Sequence, residues 1–285
     1  MANLSPAQAA AEALWRSPPN LLRAYAKFSH GQLHYRIARP EKPSGVPLML
    51  FHQTGSSGRC YERFIAEMGT DRIAIAVDTP GFGASDPLPF APSIADFATV
   101  MGELIDHLGL PEVDVIGDHT GSKTALEIGI QRPKQVRRVV MNAAAIMDDA
   151  DIKRLSSQDH AIHNVSTDGE HIMTRWRSMV KHLGGHSLTL GEMEFIEGLR
   201  PGPFTWHGHN ASFPYPVAEK LPQLTQPVLV LRAKDDLWGP TGRAQRFIRN
   251  GKVVELPEYG REMFQMRHRE LAVVVRDFLD RPWKA

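Results

Sequence analysis

One stretch constrains this chain more than any other: Glu112-Val113-Asp114-Val115-Ile116-Gly117-Asp118-His119-Thr120-Gly121-Ser122-Lys123-Thr124-Ala125. Its apolar run breaks at a glycine and resumes as a helix-forming segment, which reads as strand, sharp turn, helix. Gly117 and Gly121 stand two residues either side of His119. Small residues at those two places permit a strained turn that lifts the middle side chain above a sheet. The spacing therefore makes His119 the first candidate for chemistry.

The same residues come within one position of a phosphate-binding loop, Gly-x4-Gly-Lys-Ser/Thr, with Ser122 where the second glycine would be. A side chain there obstructs the backbone cradle for phosphate. Asp78-Thr79-Pro80-Gly81 imitates a nucleotide-binding Asp-x-x-Gly, yet it precedes the loop instead of following it. Gly81-Phe82-Gly83-Ala84-Ser85-Asp86 lacks the third glycine of a dinucleotide fingerprint, so neither a nucleotide nor another cofactor is expected.

With 285 residues and 42% hydrophobic content, the chain can bury one large core carrying an insertion. Its 33 basic and 32 acidic residues give no charge excess that would favour nucleic acid or an anionic membrane, which leaves a small-molecule substrate as the expected partner. Oligomeric state is not encoded in any of these features. A single cysteine, Cys60, allows no internal disulfide and fits a reducing compartment. No stretch reaches the roughly 18 apolar residues of a membrane span. Met1 to Trp15 lacks the basic start and long apolar run of a leader, so a cytoplasmic location is expected.

Ser5-Pro6 followed by an alanine-rich run predicts an N-terminal helix, and residues 1–20 read as an extension. Strands are expected over 22–28 and 32–38, as an antiparallel pair, and over 47–52, 72–77, the run before Gly117, 135–141, 227–232 and 252–256. Helices are expected over 61–67, 94–108, 241–249 and 262–279. Strands alternating with helices imply an α/β fold, a mostly parallel central sheet flanked by helices. The alternation stops from Ala145 to about Leu221, where His, Met, Trp, Gly and Pro accumulate. Residues 21–144 and 223–285 are therefore assigned to the core and 145–222 to an inserted, mainly helical cap.

Taken in order, the motifs resemble the α/β-hydrolase superfamily over nearly the whole chain. His52-Gln53-Thr54-Gly55 is similar to its His-Gly-x-x oxyanion loop, Asp78-Thr79-Pro80-Gly81-Phe82-Gly83-Ala84-Ser85 to its Asp-x-Pro-Gly-x-Gly-x-Ser segment, and Gly117 to Gly121 to its Gly-x-Ser-x-Gly nucleophile elbow. The resemblance places Asp236 at the acid position, and the backbone N–H groups of Thr54 and Thr120 in an oxyanion hole. Two departures fall on the reagents. Histidine replaces serine at the elbow, and Arg261 stands where the family carries its histidine base; Gln53 also replaces a loop glycine.

A guanidinium stays protonated and cannot serve as the base of a serine mechanism. His119 at the start of a helix is expected to stay neutral, because the positive end of the dipole disfavours imidazolium, and a neutral ring can act as base or nucleophile. Arg261, fixed by Asp236, would hold a carboxylate or enolate; the plainer reading is a salt bridge and nothing more. For His119 the plainer reading is a relic pocket residue. Asp118 is a weaker candidate, since its slot in the elbow points away from the pocket.

His160, His163, His171, His182, His186, His207 and His209 invite a metal, but His207-Gly208-His209 supplies only two ligands at an unrecognised spacing, so no metal is expected. Phe195, Phe204, Trp206, Phe213 and Tyr215 could line an apolar pocket, and ordinary cap-to-core packing explains them equally well. The chain is thus expected to be a cofactor-independent enzyme acting on a small organic carbonyl or carboxylate substrate, in the first instance a hydrolase. The alternatives are a lyase or proton-transfer enzyme of the same fold, and a binding protein without turnover.

Overall fold

The computed structural model describes residues 5–156, 165–182 and 187–283. Its centre is an eight-stranded sheet of β1 (Leu21–Phe28), β2 (Gly31–Ala38), β3 (Leu48–Phe51), β4 (Ala74–Val77), β5 (Val113–Asp118), β6 (Val136–Asn142), β7 (Val228–Ala233) and β8 (Gly251–Leu256). The order across the sheet is β1-β2-β4-β3-β5-β6-β7-β8. β1 pairs antiparallel with β2, β2 antiparallel with β4, and the other pairs are parallel.

β3, β4 and β5 are buried along their whole length, as expected of central parallel strands covered by helices on both faces. Because successive side chains point to opposite faces, Met49 and Phe51 pack on one side of the sheet while Leu48 and Leu50 pack on the other. The first face is closed by α3 (Ile94–His107) and α4 (Thr120–Gln131), and the second by α2 (Glu62–Met68) and a C-terminal pair, α11 (Met263–Met266) and α12 (His268–Asp280). Each fully buried Leu or Phe in these layers contributes about 1.5–3 kcal/mol.

Helix boundaries follow local chemistry. α1 (Pro6–Trp15) starts with a capping box between Ser5 and Gln8, and α3 with one between Ser93 and Asp96. The segment expected as one helix over 262–279 is two, because Arg267 adopts φ −119° and interrupts it. The helix expected over 241–249 is instead a short α10 (Trp238–Gly242) followed by a 3₁₀ turn over Ala244–Phe247. Gly242 packs directly on the Arg232 guanidinium there, where a Cβ would sit 2.7 Å from it. The turn into α2 likewise begins as 3₁₀ over Gly58–Tyr61.

Between β6 and β7 lie α5 (Asp149–Ser156), α6 (Glu170–His182), α7 (Leu188–Leu199), α8 (Thr205–Ser212) and α9 (Val217–Lys220), with no strand among the described residues. α1 packs against α7, and the Arg59 guanidinium lies 4.7 Å over the Trp15 ring. His160, His163 and His186 fall outside the described residues.

After β4 the chain is anchored by Asp78. Its buried carboxylate accepts hydrogen bonds from His34 Nδ1 (2.8 Å), Arg36 Nη1 (2.8 Å), the Gly58 N–H (2.8 Å) and the Ala84 N–H (2.9 Å). Burial alone would raise its pKa, but the His34 hydrogen bond and the Arg36 charge bring it down to about 2. One side chain thus fastens β2, the turn into α2 and the Asp78–Ser85 loop to one another.

Candidate active site

His119 is the hinge between β5, which ends at Asp118, and α4, which begins at Thr120. Its φ of 49° and ψ of −108° lie in a sparsely populated region for a residue with a side chain, a conformation that costs about 1–3 kcal/mol. Both flanking glycines are required by close approach. A Cβ on Gly117 would come 1.9 Å from the Gly121 carbonyl oxygen, and one on Gly121 1.9 Å from the Phe51 carbonyl oxygen. The apex is pinned on all sides: the His119 N–H donates to the Asn142 carbonyl at 3.1 Å, while the Ser122 N–H and hydroxyl donate to the His119 carbonyl at 3.1 and 2.6 Å.

The imidazole contacts an aspartate that the sequence reading did not single out. His119 Nε2 is 2.9 Å from Asp235 Oδ2, whereas Asp236 turns to Arg261 Nη2 at 3.0 Å. Two adjacent aspartates follow β7, and the other oxygen of Asp235 accepts the Leu237 N–H at 2.8 Å, which aims Oδ2 at the ring. Asp236 is therefore the partner of the arginine and not the acid of the histidine.

The His119 pKa is shifted opposite to the direction expected from a helix start. Burial lowers its pKa, but Asp118 beneath it and the Asp235 hydrogen bond more than compensate and raise it above the ordinary histidine value. With Asp235 on Nε2, the remaining nitrogen, Nδ1, has no hydrogen-bond partner among the described residues. Asp118 itself is fully enclosed; burial raises its pKa, and Asn142 Nδ2 donates to it at 2.6 Å. It does not border the cavity described below.

The second loop is fixed by His52, whose Nδ1 donates to the Gln53 carbonyl at 2.7 Å and whose Nε2 accepts the Thr79 N–H at 3.0 Å. Burial lowers the His52 pKa, consistent with the neutral ring that this pattern demands. The Thr54 and Thr120 hydroxyls join at 2.7 Å, tying this loop to the start of α4. Thr120 is the first residue of that helix, so its N–H has no intrahelical acceptor.

A cavity of about 330 Å³ opens over the apex and is bordered by His119, Thr54, Thr120, Asp236 and Arg261. All five residues singled out from the sequence thus meet at one place. Phe195 and Phe213 also border it, while Phe204, Trp206 and Tyr215 do not; Tyr215 instead donates its hydroxyl to Glu127 at 2.7 Å. Arg261 keeps 47% of its side-chain surface open within this recess. Desolvation in the recess disfavours its charge, but Asp236, Asp235, Glu194 and Asp118 outweigh that and raise its pKa.

Three further residues of the lining were not legible in the sequence: Glu194, Arg175 and Lys123. Burial raises the Glu194 pKa. Lys123 had drawn notice only as part of a phosphate-loop pattern. Metal-ligand geometry is approached by His119, Asp235 and Asp236, whose ligand atoms lie within 4.8 Å of one another. These atoms already satisfy one another and Arg261, which is ion-pair geometry.

Known proteins agree with the architecture. A family profile described as the α/β-hydrolase fold matches residues 46–164. Haloalkane dehalogenase 2 of Mycobacterium tuberculosis is 31% identical over 114 residues, 40% of this chain and 38% of that protein, so the match spans less than two fifths of the relative's length. A 2-hydroxy-6-oxononadienedioate/2-hydroxy-6-oxononatrienedioate hydrolase of Burkholderia vietnamiensis is 23% identical over 247 residues, 75% of this chain and 79% of its own. Among solved structures, a putative lipase from Acinetobacter baumannii superposes with a TM-score of 0.77 at 16% identity, covering 98% of this chain and 97% of that one. Strand order, elbow and these likenesses lead to one conclusion: the chain has the α/β-hydrolase fold.

Proposed function

We propose that this protein is a cofactor-independent enzyme acting on a small organic substrate with a carbonyl or carboxylate group, and that His119 is its general base. The observation that carries this reading is the His119–Asp235 pair at the elbow apex. An aspartate on one imidazole nitrogen fixes the tautomer that leaves the other as a proton acceptor. Here the oriented base occupies the place of the nucleophile, so no side-chain hydroxyl is activated.

In the hydrolytic form of the reaction, Nδ1 takes a proton from water as the water oxygen attacks the carbonyl carbon. The carbonyl electrons move onto oxygen, where the backbone N–H groups of Thr54 and Thr120 receive them. Collapse of the tetrahedral intermediate expels the leaving group, which takes the proton back from His119. Arg261, held by Asp236, offers its remaining N–H donors to the same developing charge. The four carboxylates around it suit it to transient charge on a carbonyl oxygen better than to a resting anion.

The helices α5 to α9 act as a cap over the cavity. The relative from Burkholderia is named for an oxo-dioate substrate, which carries the carbonyl and carboxylate groups that this reading assigns to the substrate here. A base at the apex favours one further reading, lyase chemistry, in which Nδ1 removes a proton from carbon next to the carbonyl.

Turnover of a panel of small esters, lactones and oxo acids in ¹⁸O-labelled water tests these readings together. The hydrolase reading requires one labelled oxygen in the product, lost with His119→Ala. Solvent deuterium on carbon without ¹⁸O supports the lyase. No turnover of any member, with binding intact, defeats both.

A further inference from the structure

Lys123 projects from the first turn of α4, is 4% exposed and borders the cavity. Its Nζ donates to the carbonyl and to the hydroxyl of Ser212, both at 2.7 Å. An ammonium has three donors, so one is left over. No carboxylate pairs with it among the described residues, and burial alone lowers its pKa to about 7. Arg175, from α6, borders the same cavity, and its Nη2 donates to the Gly198 carbonyl at 3.1 Å. It too has no acidic partner among the described residues, and burial lowers its pKa.

Arg261 is the opposite case, with a carboxylate at 3.0 Å and three more acting on it. The cavity thus holds cations of two kinds. One cation is neutralised by the protein, and two are left for something else to neutralise. A buried cation without a counter-ion is costly, and a bound anion removes that cost. Tying α4 to α8 does not require a charge, because a neutral donor would meet the two Ser212 oxygens equally well.

We propose that Lys123 and Arg175, the two cations bordering this cavity without an acidic partner, are its anion-binding groups, and that its ligand is a small carboxylate whose acid group is neutralised by them and not by Arg261. This rests on the cavity being the substrate site described above, and it adds the class of substrate and the orientation: acid group toward Lys123 and Arg175, reacting carbonyl toward His119.

Calorimetric titration of the full chain with hexanoate and with hexanamide, two probes of one shape and different charge, tests it. Hexanoate should bind about tenfold or more tightly than hexanamide, the worth of a charge-assisted contact. Lys123→Met should remove that preference while leaving hexanamide unchanged, and Arg175→Gln should reduce it. His119→Ala should keep it, which separates this proposal from the role of His119. Thermal melts report whether Lys123→Met folds; if it does not, Arg175→Gln on the more exposed helix still decides. Equal affinity for the two probes, no measurable hexanoate binding, or a preference lost only in Arg261→Met would overturn the assignment.

Discussion

Asp78 and the acids around His119 are both buried and do different work. Asp78 collects four donors from three separate segments and has its pKa drawn down to about 2. Around His119, by contrast, Asp118 and Glu194 have their pKa values raised by burial, and the one imidazole sits against two carboxylates. The first cluster is saturated and closed. The second keeps unused capacity, Nδ1 of His119 among it, and borders a cavity. Comparison of the two teaches that donor count, more than residue type, separates an acid that holds the fold from one that is available for chemistry.

The sharpest way to break this comparison is Asp78→Ala. It leaves His34 buried without an acid and Arg36 with Glu62 alone, and a loss of about 3–5 kcal/mol in urea unfolding is expected. A stability within 1 kcal/mol of the parent would mean that the cluster is not the anchor described. In the intact protein the sign with pH is fixed by a folded pKa below the unfolded one. The Asp78 contribution is present above about pH 4 and lost as pH falls toward 2, by roughly 2 kcal/mol.

His119→Ala should do the reverse: turnover falls by about 10²–10⁴-fold, while the urea midpoint moves little. Comparable kinetics on a confirmed substrate would return His119 to the status of a pocket residue.

A smaller effect sharpens the contrast. Because a base works only when deprotonated, kcat/KM should rise with pH and level off above the raised His119 pKa. Asp235→Asn removes one cause of that rise, so the ascending limb should move to lower pH while the plateau falls; Asp236→Asn should leave the limb nearer its place. A limb that moves with Asp236 and not with Asp235 would reverse the assignment of the two aspartates.

The smallest expected effect is none at all. A fluorophosphonate probe should leave the native protein unlabelled, since the apex has no hydroxyl and Ser122 is engaged with the His119 carbonyl. Stoichiometric labelling at Ser122 or Thr120, lost on denaturation, would restore a covalent mechanism.

The elbow was legible because two glycines at fixed spacing record a backbone contact, and the contacts of Gly117 and Gly121 are that record. The Arg261–Asp236 contact could be anticipated from the order of motifs alone. The choice between Asp235 and Asp236 could not, because it depends on how a turn directs two adjacent and identical side chains. Lys123 was hidden for another reason. A lysine in a helix ordinarily reaches water, and only the placement of α8 over α4 reveals that this one does not. Its signal, visible in retrospect, is the spacing of Thr120, Lys123 and Glu127 along one face of a helix whose residues from Thr120 to Gly129 are all buried. Which of the five aromatics line the cavity could not be read, because aromatic content says nothing about which side of a helix faces it.

The tight seating of Gly121 against the Phe51 carbonyl has a consequence for descent as well as for mechanism. The contact is made entirely by main chain, so the geometry of the apex is inherited independently of the side chain that stands on it. A single codon change at position 119 exchanges the reagent while the socket persists. A lineage can therefore cross from one reaction class to another without passing through an unfolded ancestor, and the fold's name alone predicts little about the chemistry of its members.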